Sequence, residues 1–145
     1  MQNGQSALEV SNGLLEQSGA AMEAGDFDAF LSCFSLPFVI ETFAGKQLHR
    51  NRLEMKAVFD AVRDYRKAHA IVETVRENVN AEYVDEKTIA ATHVSRMLQE
   101  GHILFGRPYA AYSVVKWEDK AWRIQYCQYA LEDNAQLNAA LHARK

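Results

Sequence analysis

The chain has 145 residues, of which 48% are hydrophobic and 24% charged, and its formal net charge is −3 with a pI near 5.9. This length and composition predict one globular domain spanning residues 1–145 with a single core, and they exclude a disordered or fibrous protein. The acidic balance argues against a nucleic-acid partner, because phosphate binding depends on a positive surface.

Neither a membrane anchor nor an export signal is evident in the sequence. No apolar run reaches the roughly 20 residues that a membrane-spanning helix needs, and the first residues lack the basic and then apolar pattern of a signal peptide. We therefore expect a cytoplasmic protein with no membrane partner. Cys33 and Cys127 form no CxxC pair, so buried free thiols are the expected state.

The chain is predicted to begin with two helices. Apolar residues recur at helical spacing from Ser6 to Ala24, and Gly25 ends this helix. Asp26 can cap a second helix by accepting from its free amides. That helix presents an apolar stripe at positions i, i+3, i+4 and i+7, which predicts a face turned to the core. The stripe consists of Phe27, Phe30, Leu31 and Phe34.

A short strand and a third helix are predicted next. Pro37 ends the second helix, because the residue before a proline avoids the α region, and Phe38 to Phe43 is predicted as a strand that turns at Ala44 and Gly45. The segment from Asn51 to Ala68 is predicted as an amphipathic helix. Its apolar side consists of Leu53, Ala57, Val58, Ala61, Val62 and Tyr65.

In the second half of the chain the hydrophobic period changes from about 3.6 to about 2, and evenly spaced turns predict three hairpins. Four strands are expected, from Ala70 to Tyr83, Thr88 to Leu98, Ile103 to Trp117 and Ala121 to Leu131. Strands of this length bend, so the sequence predicts an α+β domain with a curved antiparallel sheet. A short helix from Asn134 to Ala143 is predicted to follow.

The order of these elements resembles the NTF2-like superfamily, including its SnoaL-like and ketosteroid-isomerase-like branches, over almost the whole chain. Two runs contribute most to the resemblance, Gly-Asp-Phe-Asp-Ala-Phe at residues 25–30 and Lys-Ala-Trp-Arg-Ile at residues 120–124. The resemblance implies a cone, in which a curved sheet wraps helices around an inner cavity, often with dimerisation through the outer sheet face. The family includes isomerases, cyclases, dehydratases, hydrolases and non-enzymatic binding modules, so the fold does not choose the function.

The last hairpin predicts which side chains line such a cavity. Pairing Trp117 with Trp122 places Tyr109, Tyr126 and Gln128 on one face, and a mixture of apolar wall and few polar groups is typical of small-molecule pockets. We therefore predict that this face, including Trp122, contacts a ligand together with Arg107. The alternative is that the tyrosines pack and send their hydroxyls to water.

The opposite face of the same hairpin is also apolar. It presents Tyr112, Cys127 and Tyr129, whereas a sheet open to water on one side alternates apolar with polar residues. We therefore expect a homodimer that forms through the outer face of the sheet.

His93 is the first candidate for a catalytic group. If Gly101 occupies a three-residue loop, His93 lies beside Arg107 and near Tyr109; a loop with an even number of residues turns it to the other face. A histidine in a cavity can act as general acid or base, and a neighbouring arginine favours its neutral form. The alternative is a histidine hydrogen-bonded in the interior or at the subunit contact.

Glu41 is the second candidate base, because burial in the first strand would raise its pKa towards neutrality. None of the seven aspartates falls in the middle of a predicted strand. This differs from what the resemblance implies for ketosteroid isomerases and epoxide hydrolases, whose catalytic aspartates lie on strands. No HxH, HExxH or GxGxxG motif occurs, so neither a metal site nor a cofactor is predicted.

Two kinds of function remain open. The first is binding of a small hydrophobic molecule in the cavity, with the further possibility of a SnoaL-like lyase, isomerase or cyclase that uses His93 or Glu41. The second is a non-catalytic dimeric interaction module. An open cavity with polar groups favours the first, whereas a cavity filled by Phe27, Phe30 and Phe34 favours the second.

Overall fold

In the computed structural model, which describes residues 4–131 and 135–143, helices pack against one face of a six-stranded sheet. The helices are α1 (Ala7–Ala24), α2 (Phe27–Leu31), α3 (Arg52–Ala68) and α4 (Ala135–Leu141). The strands are β1 (Phe34–Thr42), β2 (Gly45–His49), β3 (Ile71–Asp85), β4 (Thr88–Gln99), β5 (Ile103–Glu118) and β6 (Ala121–Tyr129). The sheet order is β2-β1-β6-β5-β4-β3, with β1 parallel to β6 and the other pairs antiparallel.

The first and third predicted helices are confirmed, and each begins at a side-chain cap. Ser6 and Glu9 form a capping box at the start of α1, in which each side chain accepts from the backbone amide of the other at 3.1 Å. Asn51 caps α3 by accepting from the amide of Glu54 at 3.0 Å. Local sequence signals therefore determine where these two helices start.

The second helix is shorter than predicted. It ends at Leu31, and Phe34 begins β1 instead of completing the apolar helical stripe. The cause is pairing with β6: Phe34 lies opposite Ile124, and the Ile124 amide donates to the Cys33 carbonyl at 2.8 Å. This tertiary pairing overrides the local helical pattern. The short strand β2, which pairs with β1, was not predicted at all.

The four long strands are confirmed, with ends that lie within two residues of the predicted ones. Register shifts interrupt the ladders between β3 and β4, β4 and β5, and β5 and β6. Bulges of this kind increase local twist and bend the strands, so the sheet curves around the helices. The predicted α+β class and curved sheet are therefore correct.

A phenylalanine cluster joins α2 and β1 to α3. Phe59 of α3 is 2% exposed, and its ring lies 5.3 Å from that of Phe27 and 5.0 Å from that of Phe30. Phe34 then contacts Phe30 and Phe38, each with ring centroids 4.7 Å apart. These rings hold α2 and β1 against the main helix layer.

The C-terminal helix and the two cysteines agree with the sequence. α4 lies within the predicted C-terminal helix, whose first predicted residue, Asn134, falls outside the described residues. Cys33 and Cys127 are buried free thiols, as predicted. In residues 4–131 and 135–143 no helix has both the length and the apolar character that crossing a bilayer needs.

The phenylalanine cluster gives a stability prediction. We expect Phe59→Ala to lower the free energy of unfolding by about 3 to 5 kcal/mol, because it removes a buried ring and leaves a cavity. Leu53→Ala in the same helix is the matched control: Leu53 was predicted to face the core but is 59% exposed, so a change of about 0.5 kcal/mol or less is expected. Urea unfolding measures both values, and equal losses would contradict the role of the cluster.

Candidate functional site

A cavity of about 130 Å³ lies between the helices and the inner face of the sheet. Its apolar wall is formed by Phe30, Phe34, Phe38, Ile40, Met55 and Val58. Among the polar side chains that line it are Ser18, Arg76, His93, Ser95, Tyr109 and Tyr129, mainly from the long strands, and also Tyr65 and Arg66 of α3. Met22, Glu23 and Thr74 also line the cavity and are partly or fully exposed, so this end, between α1 and β3, faces solvent.

His93 faces this cavity, which is the direction predicted for a three-residue loop at Gly101. Gln99 pairs with Ile103, so the β4–β5 loop has three residues, and Gly101 within it has a φ of 80°. A register shift follows between the pairs Ser95–Tyr109 and Met97–Phe105. There β4 has one residue and β5 has three, so β5 contains two extra residues. An even insertion leaves the alternation of faces unchanged, so His93 and Tyr109 both point inward.

The environment of His93 keeps the imidazole neutral. The residue is 4% exposed, and among the described residues none forms a hydrogen bond with its Nε2 atom. Burial, with a smaller contribution from the charge of Arg76, lowers the pKa of His93 from 6.5 to about 4. The cation was expected to be Arg107, so this assignment was wrong.

Arg107 is exposed and does not line the cavity. It is the middle residue of the Gly106-Arg107-Pro108 bulge, which accommodates the two extra residues of β5. The bulge moves Arg107 out of the regular ladder, and its ligand-contact role is therefore not supported. Arg107 was predicted to lie beside His93, and the bulge instead takes it away from that position.

Two tyrosine hydroxyls lie in the inner layer. Tyr109 pairs with Ser95 across β4 and β5, and its ring centroid lies 6.4 Å from that of Tyr129. Burial raises the pKa of Tyr109, although the hydrogen bond with Ser95 partly opposes this, and burial raises the pKa of Tyr129 well above its ordinary value. Both hydroxyls therefore stay protonated and neutral. Tyr129 was predicted on the opposite face.

A one-residue bulge in β6 explains why Tyr129 lines the cavity, whereas the predicted residues Tyr126 and Gln128 do not. Val115 pairs with Ile124, but the next residue of β5, Val114, pairs with Tyr126, so β6 contains one extra residue. A shift by one residue turns every following side chain to the other face. Tyr126 and Gln128 consequently lie on the outer face, and predicting them to line the cavity was wrong.

Trp122 lies on the inner face but outside the cavity. It precedes the bulge, and its ring packs 5.9 Å from Tyr83 and 5.5 Å from Trp117. These contacts place it near the β3–β4 and β5–β6 turns, away from His93 and Ser95. Trp122 is therefore part of the hydrophobic core, and the structure does not bring it to the ligand site.

Glu41 lies on the outer face, because Ile40 beside it faces the cavity and successive strand residues alternate. The Tyr126 hydroxyl donates to Oε1 of Glu41, and Lys46 Nζ lies 3.9 Å from the same oxygen. Burial and this carboxylate raise the pKa of Tyr126 to about 12. Glu41 is thus not a base for a molecule held in the cavity.

The aspartates do not supply a base on the sheet. Of the seven aspartates, six belong to helices, helix caps, turns or the end of β3, and Asp133 falls outside the described residues. In the described part of the chain, no three histidine, cysteine or acidic side chains lie close enough together to hold a metal ion. Apart from the Glu23–Arg66 ion pair at the solvent-facing end, the polar chemistry of the cavity therefore depends on His93, Arg76 and hydroxyl groups.

Sequence reasoning missed Arg76, which is placed on the inner face of β3 opposite Ser95. Its Nη2 atom donates to the Leu15 carbonyl and, at 3.0 Å, to the Ser18 hydroxyl, which ties α1 to the sheet. Gly19 makes room for it, since a Cβ atom there would lie 2.9 Å from Nη2. A glycine in the middle of an amphipathic helix was the available signal.

No protein-family model and no curated protein sequence matches the chain. Solved structures do match. A cystatin-like domain of unknown function from Nostoc punctiforme PCC 73102 is 18% identical, with a TM-score of 0.65, covering 92% of this chain and 84% of that one. An NTF2-like protein of unknown function from Shewanella oneidensis MR-1 is 12% identical, with a TM-score of 0.62, covering 85% and 98%.

A ketosteroid isomerase-like protein from Erwinia carotovora atroseptica SCRI1043 is 8% identical, with a TM-score of 0.56, and the match covers 85% of this chain and 94% of that one. The three proteins share little sequence with this chain, so what the matches show is its architecture. The expected cone of helices and curved sheet is confirmed. The chain has the NTF2-like, cystatin-like fold.

Proposed function

We propose that the protein binds a small hydrophobic molecule of about one ring in the cavity between the helices and the sheet, and that this molecule carries a hydroxyl or carbonyl group. The observation that supports the proposal most is a mainly apolar cavity into which the neutral His93 projects. Among the described residues nothing pairs with its Nε2 atom. Apolar walls with a few convergent polar groups are typical of small-molecule sites.

The volume of the cavity limits the size of the ligand. About 130 Å³ is close to the roughly 150 Å³ of an engineered protein cavity that binds benzene. One ring with a small substituent fits, whereas a four-ring steroid does not. Phe30 and Phe34 form part of the wall and Phe27 packs on Phe59, so these rings border the space without filling it. This favours ligand binding over a filled interaction module.

The polar group of the ligand would form a hydrogen bond with the Nε2 atom of His93. A buried imidazole nitrogen without a partner costs about 1 to 3 kcal/mol, and a ligand hydroxyl or carbonyl recovers this energy. In the neutral ring, Nε2 either donates or accepts according to the tautomer. A pKa of about 4 leaves His93 a weak base at neutral pH, whereas a general base works best with a pKa near the working pH. Binding is therefore favoured over acid–base catalysis.

Benzyl alcohol tests the proposed site directly. We expect it to bind the wild-type chain in isothermal titration calorimetry, and Val58→Phe to weaken binding about tenfold or more, because the added ring occupies cavity space. Val58 is buried in the cavity wall, and Val84, which is 67% exposed, provides the matched control Val84→Phe. Failure of benzyl alcohol and of its close analogues benzamide and benzoate to bind the wild type, or equal binding to both variants, would count against the site.

Burial of His93 also makes the fold sensitive to acid. Because its pKa in the folded chain lies near 4, below the ordinary value of 6.5, the unfolded chain takes up the proton first as the pH falls. The associated stability is fully present above pH 6.5 and is lost as the pH falls towards 4. Arg76 reinforces the effect, since its charge disfavours a second positive charge nearby.

We therefore expect wild-type stability to fall by about 2 kcal/mol more than that of His93→Gln between about pH 7 and pH 4.5. Urea unfolding at the two pH values measures this difference. His102→Gln is the control, because the His102 side chain is 87% exposed, and it should keep the wild-type pH dependence. Identical pH profiles for the wild type and His93→Gln would contradict a buried neutral histidine.

We further propose that two copies of the chain associate through the outer face of the sheet. Val94, Tyr112, Val114 and Tyr126 lie side by side there, with Tyr112 39% exposed and the rings of Tyr112 and Tyr126 6.3 Å apart. Two ion pairs flank this apolar centre, Lys46 with Glu41 at 3.9 Å and Arg96 with Glu77 at 3.4 Å. An apolar centre with a polar rim is the usual anatomy of a subunit interface.

Light scattering tests this association. We expect the wild-type protein to show twice the chain mass of 16.4 kDa at micromolar concentration. Tyr112→Glu should give a monomer, because it places a charge in the centre of the apolar face. Val84→Glu, on an exposed strand end away from that centre, should remain dimeric. A wild-type monomer would refute the proposal.

A further inference from the structure

The Arg76 guanidinium lines the cavity without a carboxylate partner. Among the described residues, no acidic oxygen lies within 4.0 Å of it, whereas Arg66, at the solvent-facing end, pairs with Glu23 at 3.6 Å. The two groups that Arg76 contacts, the Leu15 carbonyl and the Ser18 hydroxyl, are neutral. A partly buried cation next to an apolar wall is costly unless a negative charge compensates it.

Only part of the guanidinium is used by the protein. Both hydrogen bonds of Arg76 to described residues start from Nη2, which leaves the N–H groups of Nη1 and Nε as further donors. An arginine presents its donors as a planar fork, which matches the two oxygens of a carboxylate. The unused N–H donors of Nη1 and Nε therefore favour a ligand group that accepts hydrogen bonds and carries a negative charge.

The other titratable groups around the cavity do not neutralise this charge. His93 is neutral because burial lowers its pKa, and Tyr109 and Tyr129 are neutral because burial raises theirs. The Glu23 and Arg66 charges offset each other. Of the described cavity-lining residues, Arg76 therefore contributes the one net charge, which is positive.

Arg76 and His93 are close enough to contact the same small molecule. Arg76 pairs with Ser95, and Asn78, two residues further along β3, pairs with His93. The two side chains are thus diagonal neighbours on one face of the sheet, a separation of about 7 to 8 Å between backbone positions. A carboxylate lying between them can accept from the guanidinium and from an Nε2–H tautomer of His93.

We propose that the polar group of the ligand is a carboxylate, so that the cavity selects small cyclic monocarboxylates of the size of benzoate. Arg76 pairs with the carboxylate, His93 contacts it through Nε2, and the ring lies against the phenylalanine wall. The inference rests on the proposed ligand site and specifies the charge of the molecule bound there. The cavity then supplies the positive charge, and the ligand supplies its counter-ion.

Calorimetric titration of the wild-type protein with benzoate, benzamide and benzyl alcohol tests the charge, since the three compounds have similar shapes. We expect benzoate to bind about tenfold or more tightly than benzamide, because a charge-assisted hydrogen bond is stronger than a neutral one. This comparison needs no variant, so it does not depend on how a substitution folds.

Variants of Arg76 then test the residue. Arg76→Gln should lose the preference for benzoate, with about a tenfold drop in benzoate affinity and little change for benzamide, while Arg76→Lys should retain part of it. Arg50→Gln is the matched control, because Arg50 does not line the cavity and pairs with Glu54 on the protein surface. Thermal unfolding of each variant verifies that it is folded, and Arg76→Lys serves if Arg76→Gln is not.

The outcomes separate this inference from the proposed function. Benzyl alcohol and benzamide binding as tightly as benzoate would overturn the carboxylate inference and leave the ligand site standing. Failure of all three compounds to bind would overturn both. A benzoate preference that persists in Arg76→Gln would assign the recognition to a different group and refute the role of Arg76.

Discussion

The composition of the cavity depends on the register in which β4, β5 and β6 pair. Side chains alternate between the two faces of a strand, so a single extra residue exchanges the inner and outer sets, whereas two extra residues leave them in place. The chain contains both cases. The insertion around Arg107 in β5 keeps His93 and Tyr109 inward, and the bulge at Gln125 in β6 turns Tyr129 inward and Tyr126 outward.

The same register divides the polar chemistry between two surfaces. Inside, neutral groups and the Glu23–Arg66 ion pair surround Arg76 in a small apolar space. Outside, the Glu41 carboxylate accepts a hydrogen bond from the Tyr126 hydroxyl and pairs with Lys46, near an apolar patch. A base, a nucleophile or a counter-ion for a bound molecule must come from the inner set alone. This is why the structure narrows the acid–base candidates from His93 and Glu41 to His93.

The helices close the cavity, and α1 supplies the two groups that hold the charged Arg76 side chain of β3. Arg76 crosses from β3 to the backbone of α1, and Gly19 allows it to lie close to the helix at a helix-propensity cost of about 1 kcal/mol. Burying His93 without a partner costs further stability. In the proposed function, a bound molecule with a complementary polar group offsets both costs.

Local signals in the sequence determined much of the architecture. Caps at Ser6 and Asn51 and the change of period after α3 specified the long helices and four long strands, because these features depend on neighbouring residues. The sequence left the face of His93 open between two loop lengths, and the three-residue loop at Gly101 with an even insertion in β5 turns it inward. The class of fold is therefore encoded in short stretches of the chain.

Tertiary structure alone decided the rest. Phe34 joined a strand because β6 offered a parallel partner far along the chain, and the extra residue at Gln125 accommodates a bend that no local pattern specifies. Arg76 entered the site because α1 packs over β3, bringing Ser18 to its guanidinium from 58 residues away. Strand pairing, sheet curvature and helix docking are long-range interactions, so the sequence by itself determined the elements, whereas packing determined which residues form the cavity.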